Sequence, residues 1–481
     1  MSDAMFRLGF DSPNEEIQVD PLNFKGKFPS WLKGNLVRNG PGTFRVGEQT
    51  YRHWFDGLPM LHKFTFSGSQ IAYANKFLDT QAYQSAMNEG KIVYSEFATD
   101  PEWTLKDRIK NFISPKITDS AKVNVTKYGE NYMALAETPL QVLFDPETLK
   151  TLGTFSYEDN LVGQMTTVHP QFDGQHNQAY NLVTRFHQTS HYQIYQLGPK
   201  LQPKRIASIP VKKPSYMHSF GMTPNYFILT EFPLVVNSLS LLFWLKPYIE
   251  NYRWLPQNGT RFTVINRDTG EIDAHFEHEA FFGFHHINAF ENDGELIFDI
   301  AAYENPDIIK AFYFDQLKSP EAKIPFGKLR RYRLPLQKGS IRYETLSEVC
   351  MELPNINIQR ANEAGYRYIY AVSVNPNEKM NFYNQLVKVD IQGKHNATWY
   401  QSGCFPGEPV FVPRPGASDE DDGVILAVVL DENSASSFLL LLDAQSFQEL
   451  GRAEIPQPIL FGYHGAFFNA NQDQGETQTH D

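Results

Sequence analysis

Cysteine is nearly absent: Cys350 and Cys404 are the only two in 481 residues. They cannot make a disulfide framework, and neither has metal-ligand spacing, which fits a reducing cytosol. Positive charge is also short. Lysine and arginine number 43 against 55 aspartates and glutamates, the formal net charge is −12 and no basic stripe exists, so nucleic acid is not an expected partner. Long hydrophobic runs are missing too. The most apolar stretch, residues 232–245, contains Pro233, Asn237, Ser238 and Ser240, and its ~14 residues fall short of the roughly 20 that a spanning helix needs. The N-terminus has no apolar run of signal-peptide length. Residues 469–481 form a polar tail expected to fray.

What is plentiful is aromatic. With 37 Phe and 24 Tyr the aromatic fraction is 14%, enough to require a large core or an apolar cavity. Short β-type runs dominate, at 131–138, 140–145, 178–186, 226–232, 261–267, 295–303, 367–374, 384–391, 409–413, 423–431 and 436–443. They are rich in Val, Ile, Leu, Phe and Tyr and bounded by Gly, Pro, Asn or Asp. One unit recurs, an apolar strand, a small or acidic turn and a second strand, at 64–71, 142–149, 194–198, 264–272, 332–341, 387–393 and 440–447. Seven hairpins spread along the chain at roughly 50- to 80-residue intervals predict a β-propeller with long loops. A large sandwich built of unrelated hairpins is the other architecture open to this pattern. Helical signal is sparse. Residues 103–113 place Trp103, Leu105, Ile109, Phe112 and Ile113 near helical spacing with basic residues between them, a pattern that suits a membrane surface or ordinary packing on the domain.

Four histidines stand in or beside strand-like segments: His169 in Thr-Val-His-Pro, His218 in Tyr-Met-His-Ser-Phe, His285 in Phe-His-His-Ile-Asn and His464 in Tyr-His-Gly. Their separations of 49, 67 and 179 residues are too long for one helix or loop to gather them. In a propeller the innermost strands line one axis, and these gaps match one, one and about three blades. Four neutral imidazoles meeting there would suit a borderline transition metal such as Fe(II) and leave room for O2. Metal-bound imidazoles are normally held by an outer acceptor. Glu137, Glu352 and Glu408 sit in apolar or tight segments where an unpaired charge is costly, although strand-end carboxylates look the same in sequence. Weaker patterns carry less. Asp268-Thr-Gly270 occupies a hairpin turn, Gly40-Pro-Gly42 lacks the lysine and helix of a phosphate loop, and the acidic run 419–422 fits a solvated turn better than a Ca2+ site.

Several motifs together resemble the carotenoid cleavage oxygenase family. They are Arg38-Asn-Gly-Pro-Gly42, His53-Trp-Phe-Asp-Gly57, Phe-His-His-Ile-Asn-Ala-Phe-Glu (284–291), Gly-Glu-Pro-Val-Phe-Val-Pro-Arg-Pro-Gly (407–416), Glu-Asp-Asp-Gly (420–423) and the late Tyr-His-Gly. The likeness runs from about residue 20 to 468 and looks strongest toward the carotene oxygenases of animals and their bacterial relatives. It implies an all-β, seven-bladed propeller with a helical and loop cap over the metal axis. One oxygenase domain would span 21–468, between an N-terminal segment, 1–20, and the tail. It implies Fe(II) bound by His169, His218, His285 and His464, with Glu137, Glu352 and Glu408 behind them, and His286 turned to the other face of its strand. O2 would be the co-substrate, cleaving a conjugated double bond of a carotenoid or apocarotenoid into carbonyl fragments. Phe284 would be a wall of the substrate tunnel or part of the core. A cytoplasmic protein touching the membrane peripherally through 103–113 and 234–245 is expected, because carotenoids live in bilayers. The chain departs from the pattern at 57–60, Gly-Leu-Pro-Met, where many members read Gly-Asp-Gly-Met, so the shape of that loop is open. Stilbenoid cleavage, retinoid isomerisation and a non-catalytic pigment- or partner-binding propeller are the alternatives.

Overall fold

Seven antiparallel sheets ring one axis in the computed structural model, which describes residues 6–11, 15–104, 106–107, 117–156, 163–242, 246–319, 323–337, 339–378, 382–393 and 395–470. Blade 1 runs outward from Gly465–Asn469 through Lys33–Thr43, Leu58–Ser67 and Ile71–Phe77 to the edge pair Gln18–Val19. Blades 2 to 6 begin at Asn124–Tyr128, Met165–Thr166, Gly221–Met222, Phe282–Asn292 and Glu352–Asn355. Blade 7 begins at Cys404–Pro406 and ends with Asn23–Gly26, borrowed from the start of the chain. The ring is thus closed twice, by an early strand on the outside of blade 7 and a late strand on the inside of blade 1. First strands of neighbouring blades touch around the axis, as Gly465–Asn469 does with Asn124–Tyr128 and Val410–Pro413. The propeller, not the sandwich, is the architecture.

Each hairpin read from the sequence joins the third and fourth strands of one blade, counted outward from the axis. Four share one turn chemistry. Asp145, Asn266, Asp390 and Asp443 each close a strand, and their side-chain oxygens accept the backbone N–H groups that follow: Glu147 and Thr148, Asp268 and Thr269, Gln392 and Gly393, and Ser446. Such local acceptors turn the chain without spending ladder bonds. Strand composition then sorts by radius. Ser436–Asp443, in the middle of blade 7, is apolar on both faces because other blades cover both, whereas outer strands such as Ile272–His278 alternate. Leu426 and Leu441 of blade 7 meet Phe64 and Tyr73 of blade 1 in such a seam, and Val37 and Leu61 meet Val142 and Phe144 in the next.

Most aromatic side chains belong to one large cluster that joins the seams of blades 4 to 7 to the loops around Trp54, where Trp54, Phe55, Phe312 and Tyr463 make edge-to-face contacts. Phe10, in the short helix Leu8–Asp11, joins it against Trp54 and Phe461. Long connections carry the helices Gln81–Glu89, Ser238–Leu242, Asp307–Ala311 and Phe314–Leu317 and the 3-10 turn Tyr248–Asn251. Leu241, Tyr248 and Phe312 from these segments border the same cavity as His218, His285 and His464, which is the expected cap. In the expected helix at 103–113, Leu105 and residues 108–113 lie outside the described residues, as do 243–245 and the tail from 471. Residues 58–60, read as a loop, start a buried strand in which Pro59 faces Pro41 and Leu58 faces Thr43.

Asp56, from the His53–Gly57 motif, pins the connection at 98–99 by accepting from the Ala98 N–H and the Thr99 hydroxyl. Burial raises its carboxyl from 3.8 to about 6, against the pull of those bonds and of Lys122. Between these two values the folded state holds a proton that the unfolded chain releases, so stability from this group falls as pH rises from about 4 to 6, by on the order of 3 kcal/mol. Asp56→Asn keeps an acceptor for Ala98 and does not titrate. Its melting temperature relative to the unsubstituted protein should therefore move in its favour by about 3 °C between pH 4 and pH 7; a difference that stays flat with pH refutes this account.

Candidate metal centre

His285 lies in the first strand of blade 5, where the pairing with Glu295–Tyr303 skips between Gly283 and His286 and again before Asn288. Strand alternation turns the adjacent histidines to opposite faces. His285 points to the axis, while His286 is bonded to the hydroxyls of Ser219 and Thr230. His169 sits between Met165–Thr166 and Gln171–Asp173 in the first layer of blade 3, next to Val168, whose carbonyl accepts from Asn124 of blade 2. His218 precedes Gly221–Met222, and the neighbouring Ser219 hydroxyl donates to the Phe284 carbonyl, fixing blade 4 to blade 5. His464 directly precedes Gly465–Asn469, its backbone N–H held by the Val123 carbonyl.

The four imidazoles converge. His169 Nε2 is 3.1 Å from His218 Nε2, His285 Nε2 is 3.2 Å from His464 Nε2, and all four candidate ligand atoms lie within 4.8 Å of one another. Nitrogens about 2.1 Å from one ion and at right angles to each other stand about 3 Å apart, so the spacing fits a shared ion. Three rings are held from behind by carboxylates: His218 Nδ1 to Glu137 Oε1 at 2.7 Å, His285 Nδ1 to Glu352 Oε2 at 2.6 Å, and His464 Nδ1 to Glu408 Oε1 at 2.7 Å. An Nδ1–H donated outward leaves the Nε2 lone pair facing inward. The set takes one residue from each blade, with Glu137 reaching past blade 3 to serve blade 4. Glu137 can do so because the strand expected over 131–138 stops at Leu135. The Gln141 amide takes up the Ala136 N–H and the carbonyls of Ala136 and Thr138, which replaces the ladder there.

Charge state follows from burial. His464 is pushed down to about 4 by desolvation, which outweighs the pull of Glu408; His169 and His218 are also lowered, chiefly by burial. Neutral imidazoles with free lone pairs result. Burial would raise the carboxyls of Glu352 and Glu408, but His285, Tyr303 and the Leu353 N–H for the first, and His464 and Arg38 for the second, outweigh it and hold both ionised. Each glutamate has a further partner that sequence reading did not assign. The Tyr216 hydroxyl donates to Glu137 at 2.9 Å, the Tyr303 hydroxyl to Glu352 at 2.7 Å, and the Arg38 guanidinium pairs with Glu408 while donating to the Tyr463 carbonyl at 2.8 Å. Three carboxylates against one guanidinium leave a net formal charge of two minus beside the four imidazoles, which is the complement of a divalent cation.

A cavity of about 440 Å3 reaches His218, His285 and His464. Phe55, Phe97, Phe284, Phe312 and Leu241 line it. Phe284 is both wall and core, stacking edge-on with Phe55, Phe282 and the His218 ring. The acidic run holds no vacant carboxylate cluster: Glu420 accepts the Arg367 and Tyr368 N–H groups, Asp421 pairs with Lys388 at 2.6 Å and Asp422 with Arg414 at 2.8 Å.

The sequence profile of the retinal pigment epithelial membrane protein family (RPE65) matches residues 10–469. Human beta,beta-carotene 15,15'-dioxygenase is 33% identical, over 94% of this chain and 93% of its own length. Carotenoid cleavage dioxygenase 8 of Arabidopsis thaliana is 32% identical over 96% and 85%. A solved structure of the Synechocystis apocarotenoid oxygenase superposes with a TM-score of 0.87 at 26% identity, covering 98% of this chain and 99% of that one, and a cobalt-substituted form of the same oxygenase matches equally well.

Glu352→Gln keeps an oxygen for His285 but removes one buried charge, so divalent-metal affinity measured by chelator competition should fall about 10- to 100-fold. Glu408→Gln should do the same and also strand Arg38, destabilising the metal-free protein by about 3–5 kcal/mol, a loss that Glu352→Gln should not share. Equal melting losses in the two variants would contradict the charge count.

Proposed function

The chain belongs to the carotenoid cleavage oxygenase family, and from that premise we propose that it cleaves one conjugated double bond of a carotenoid or apocarotenoid with O2, using Fe(II) held by His169, His218, His285 and His464. The observation that carries this reading is the convergence of four imidazole nitrogens on one point in the wall of an aromatic cavity. These four residues would hold a ferrous ion, which when bound would supply the activation of O2. Glu137, Glu352 and Glu408 fix three ring tautomers and strengthen their donation. Phe55, Phe97 and Phe284 exclude water and lay the polyene against the histidines, so the depth of the cavity selects the bond that is cut. The balance closes without a reductant: one C=C and one O2 give two C=O groups.

Access from a bilayer is part of this proposal. In the helix Ser238–Leu242, Leu239 is half exposed while Leu241 lines the cavity, so one short element faces both outside and tunnel. Among the described residues no helix is long and apolar enough to cross a membrane, and a surface contact through 234–245 and 103–113 is the mode proposed. Leu239→Asp should reduce cosedimentation with phosphatidylcholine vesicles while leaving cleavage of detergent-dispersed substrate intact; unchanged sedimentation removes this surface from the proposal.

Iron-loaded protein, air and a panel of carotenoids and apocarotenoids should give paired aldehyde or ketone fragments by mass spectrometry, with 18O2 label in both. His285→Ala should lose the activity by at least 100-fold along with its iron. Label in one fragment alone, or activity that survives the loss of iron, rejects the mechanism. One relative, from Galleria mellonella, is named a carotenoid isomerooxygenase (30% identical, 94% of each chain); cis-configured products in the same assay would assign that additional step here.

A further inference from the structure

One charged group in the cavity wall has no part in the metal centre. Lys122 is buried, 4% exposed, and its ammonium donates to Glu96 Oε2 at 2.6 Å and to the Ser120 hydroxyl at 3.1 Å. The other Glu96 oxygen accepts from the Thr118 hydroxyl at 2.7 Å. Lys122, Glu96, Ser120 and Thr118 all border the cavity that reaches the histidines. An ammonium has three donors, and the third has no acceptor among the described residues. The lysine is also fixed relative to the metal centre, since the adjacent Val123 carbonyl receives the His464 N–H and Asn124 holds the Val168 carbonyl beside His169.

Stability does not account for this pair. A buried ion pair gains little over apolar side chains of the same volume, and an apolar replacement would suit a hydrocarbon ligand better. A pure hydrocarbon lying against Lys122 would leave its third N–H desolvated and unpaired, whereas an oxygen at that point would complete it. The sign of the surroundings narrows the class. Glu96 and Asp56 both act on this region, so one cation faces two acids and a further carboxylate would be repelled.

We propose that Lys122, held by Glu96 and Ser120, is a specificity-determining anchor for a neutral oxygen on a polyene, so that hydroxylated carotenoids or carbonyl-ended apocarotenoids are taken in preference to hydrocarbon carotenes. This rests on the cleavage reading above and narrows its substrate class. A ring hydroxyl and a chain-end aldehyde share the acceptor that the anchor recognises. They differ in that the hydroxyl can also donate to Glu96, so loss of the carboxylate penalises the hydroxyl more.

The test compares hydrocarbon, hydroxylated and aldehyde-ended polyenes of matched length on iron-loaded unsubstituted protein, Lys122→Met, and the doubly neutral Lys122→Met with Glu96→Met, which avoids a stranded carboxylate. The ratio of kcat/KM for oxygenated over hydrocarbon substrate should be about 10- to 100-fold in the unsubstituted protein and fall below about threefold in both variants. A folding lesion lowers both substrates together and leaves the ratio alone. Dissociation constants of the same polyenes for metal-free protein, read from their visible absorption, should show the same ratios. A ratio near one in the unsubstituted protein, or one unmoved by both variants, overturns the anchor. Lys122-dependent binding of oxygenated polyenes without any cleavage would instead retain the anchor and reject the cleavage reading.

Discussion

The centre is organised by a charge imbalance buried on the propeller axis. Glu137, Glu352 and Glu408 lie within hydrogen-bonding distance of imidazoles, and the Arg38 guanidinium balances only one of them. This formal excess of negative charge, with Glu352 and Glu408 buried, would be costly without a counter-ion. Three of the four rings cannot supply it as protonated imidazolium, because burial holds His464 near 4 and pushes His169 and His218 down as well. A dication between neutral donors resolves both problems at once. The glutamates would act on a bound ion indirectly, through the Nδ1–H groups and rings they hold.

A propeller suits this arrangement because each blade is braced by two neighbours. The centre draws one side chain from every blade, and the blades are tied together near it by Ser219 to the Phe284 carbonyl, Asn124 to the Val168 carbonyl and His464 to the Val123 carbonyl. Displacing one ligand would therefore require moving a seam of packed strands, which close-packed interiors resist. The double closure, with Asn23–Gly26 on blade 7 and Gly465–Asn469 on blade 1, matters most at His464. That histidine arrives late in the chain, and its strand is held by pairing with Lys33–Thr43, which also carries Arg38. Ring closure and completion of the centre are one structural event.

Much of this was legible in the sequence, for identifiable reasons. Strands such as 436–443 and 295–303 announce themselves because propeller blades cover both faces of their middle strands, and the Asp and Asn turns at 145, 266, 390 and 443 use local chemistry that needs no tertiary knowledge. The histidines could be proposed as a set because their gaps match whole blades. Partnerships between distant residues were not legible. Tyr216, two residues before His218, and Tyr303 look like ordinary core aromatics, and only the fold brings their hydroxyls to Glu137 and Glu352. The strand at 131–138 was read too long because the Gln141 side chain, five residues after Ala136, replaces ladder bonds invisibly to any periodicity. The Gly-Leu-Pro-Met departure proves to be strand rather than loop, since Leu58, Pro59 and Met60 are buried opposite Thr43, Pro41 and Gly40.

Lys122 shows how a polar group can inform where an apolar cavity does not. Phenylalanines at 55, 97, 284 and 312 would accept any polyene of suitable width, and their contacts are too uniform along such a molecule to set its register. Sliding a conjugated chain by one double bond exchanges one set of dispersion contacts for a nearly equal set. A hydrogen bond at one end does not degrade so gently, because it is lost within a few tenths of an ångström. A single anchored oxygen would therefore fix which double bond lies beside the histidines more sharply than the whole aromatic wall. Register selection and recognition of an oxygenated end would then be the same interaction, and both depend on the segment from Ser120 to Asn124 being held in place by its bonds to the segments of His169 and His464.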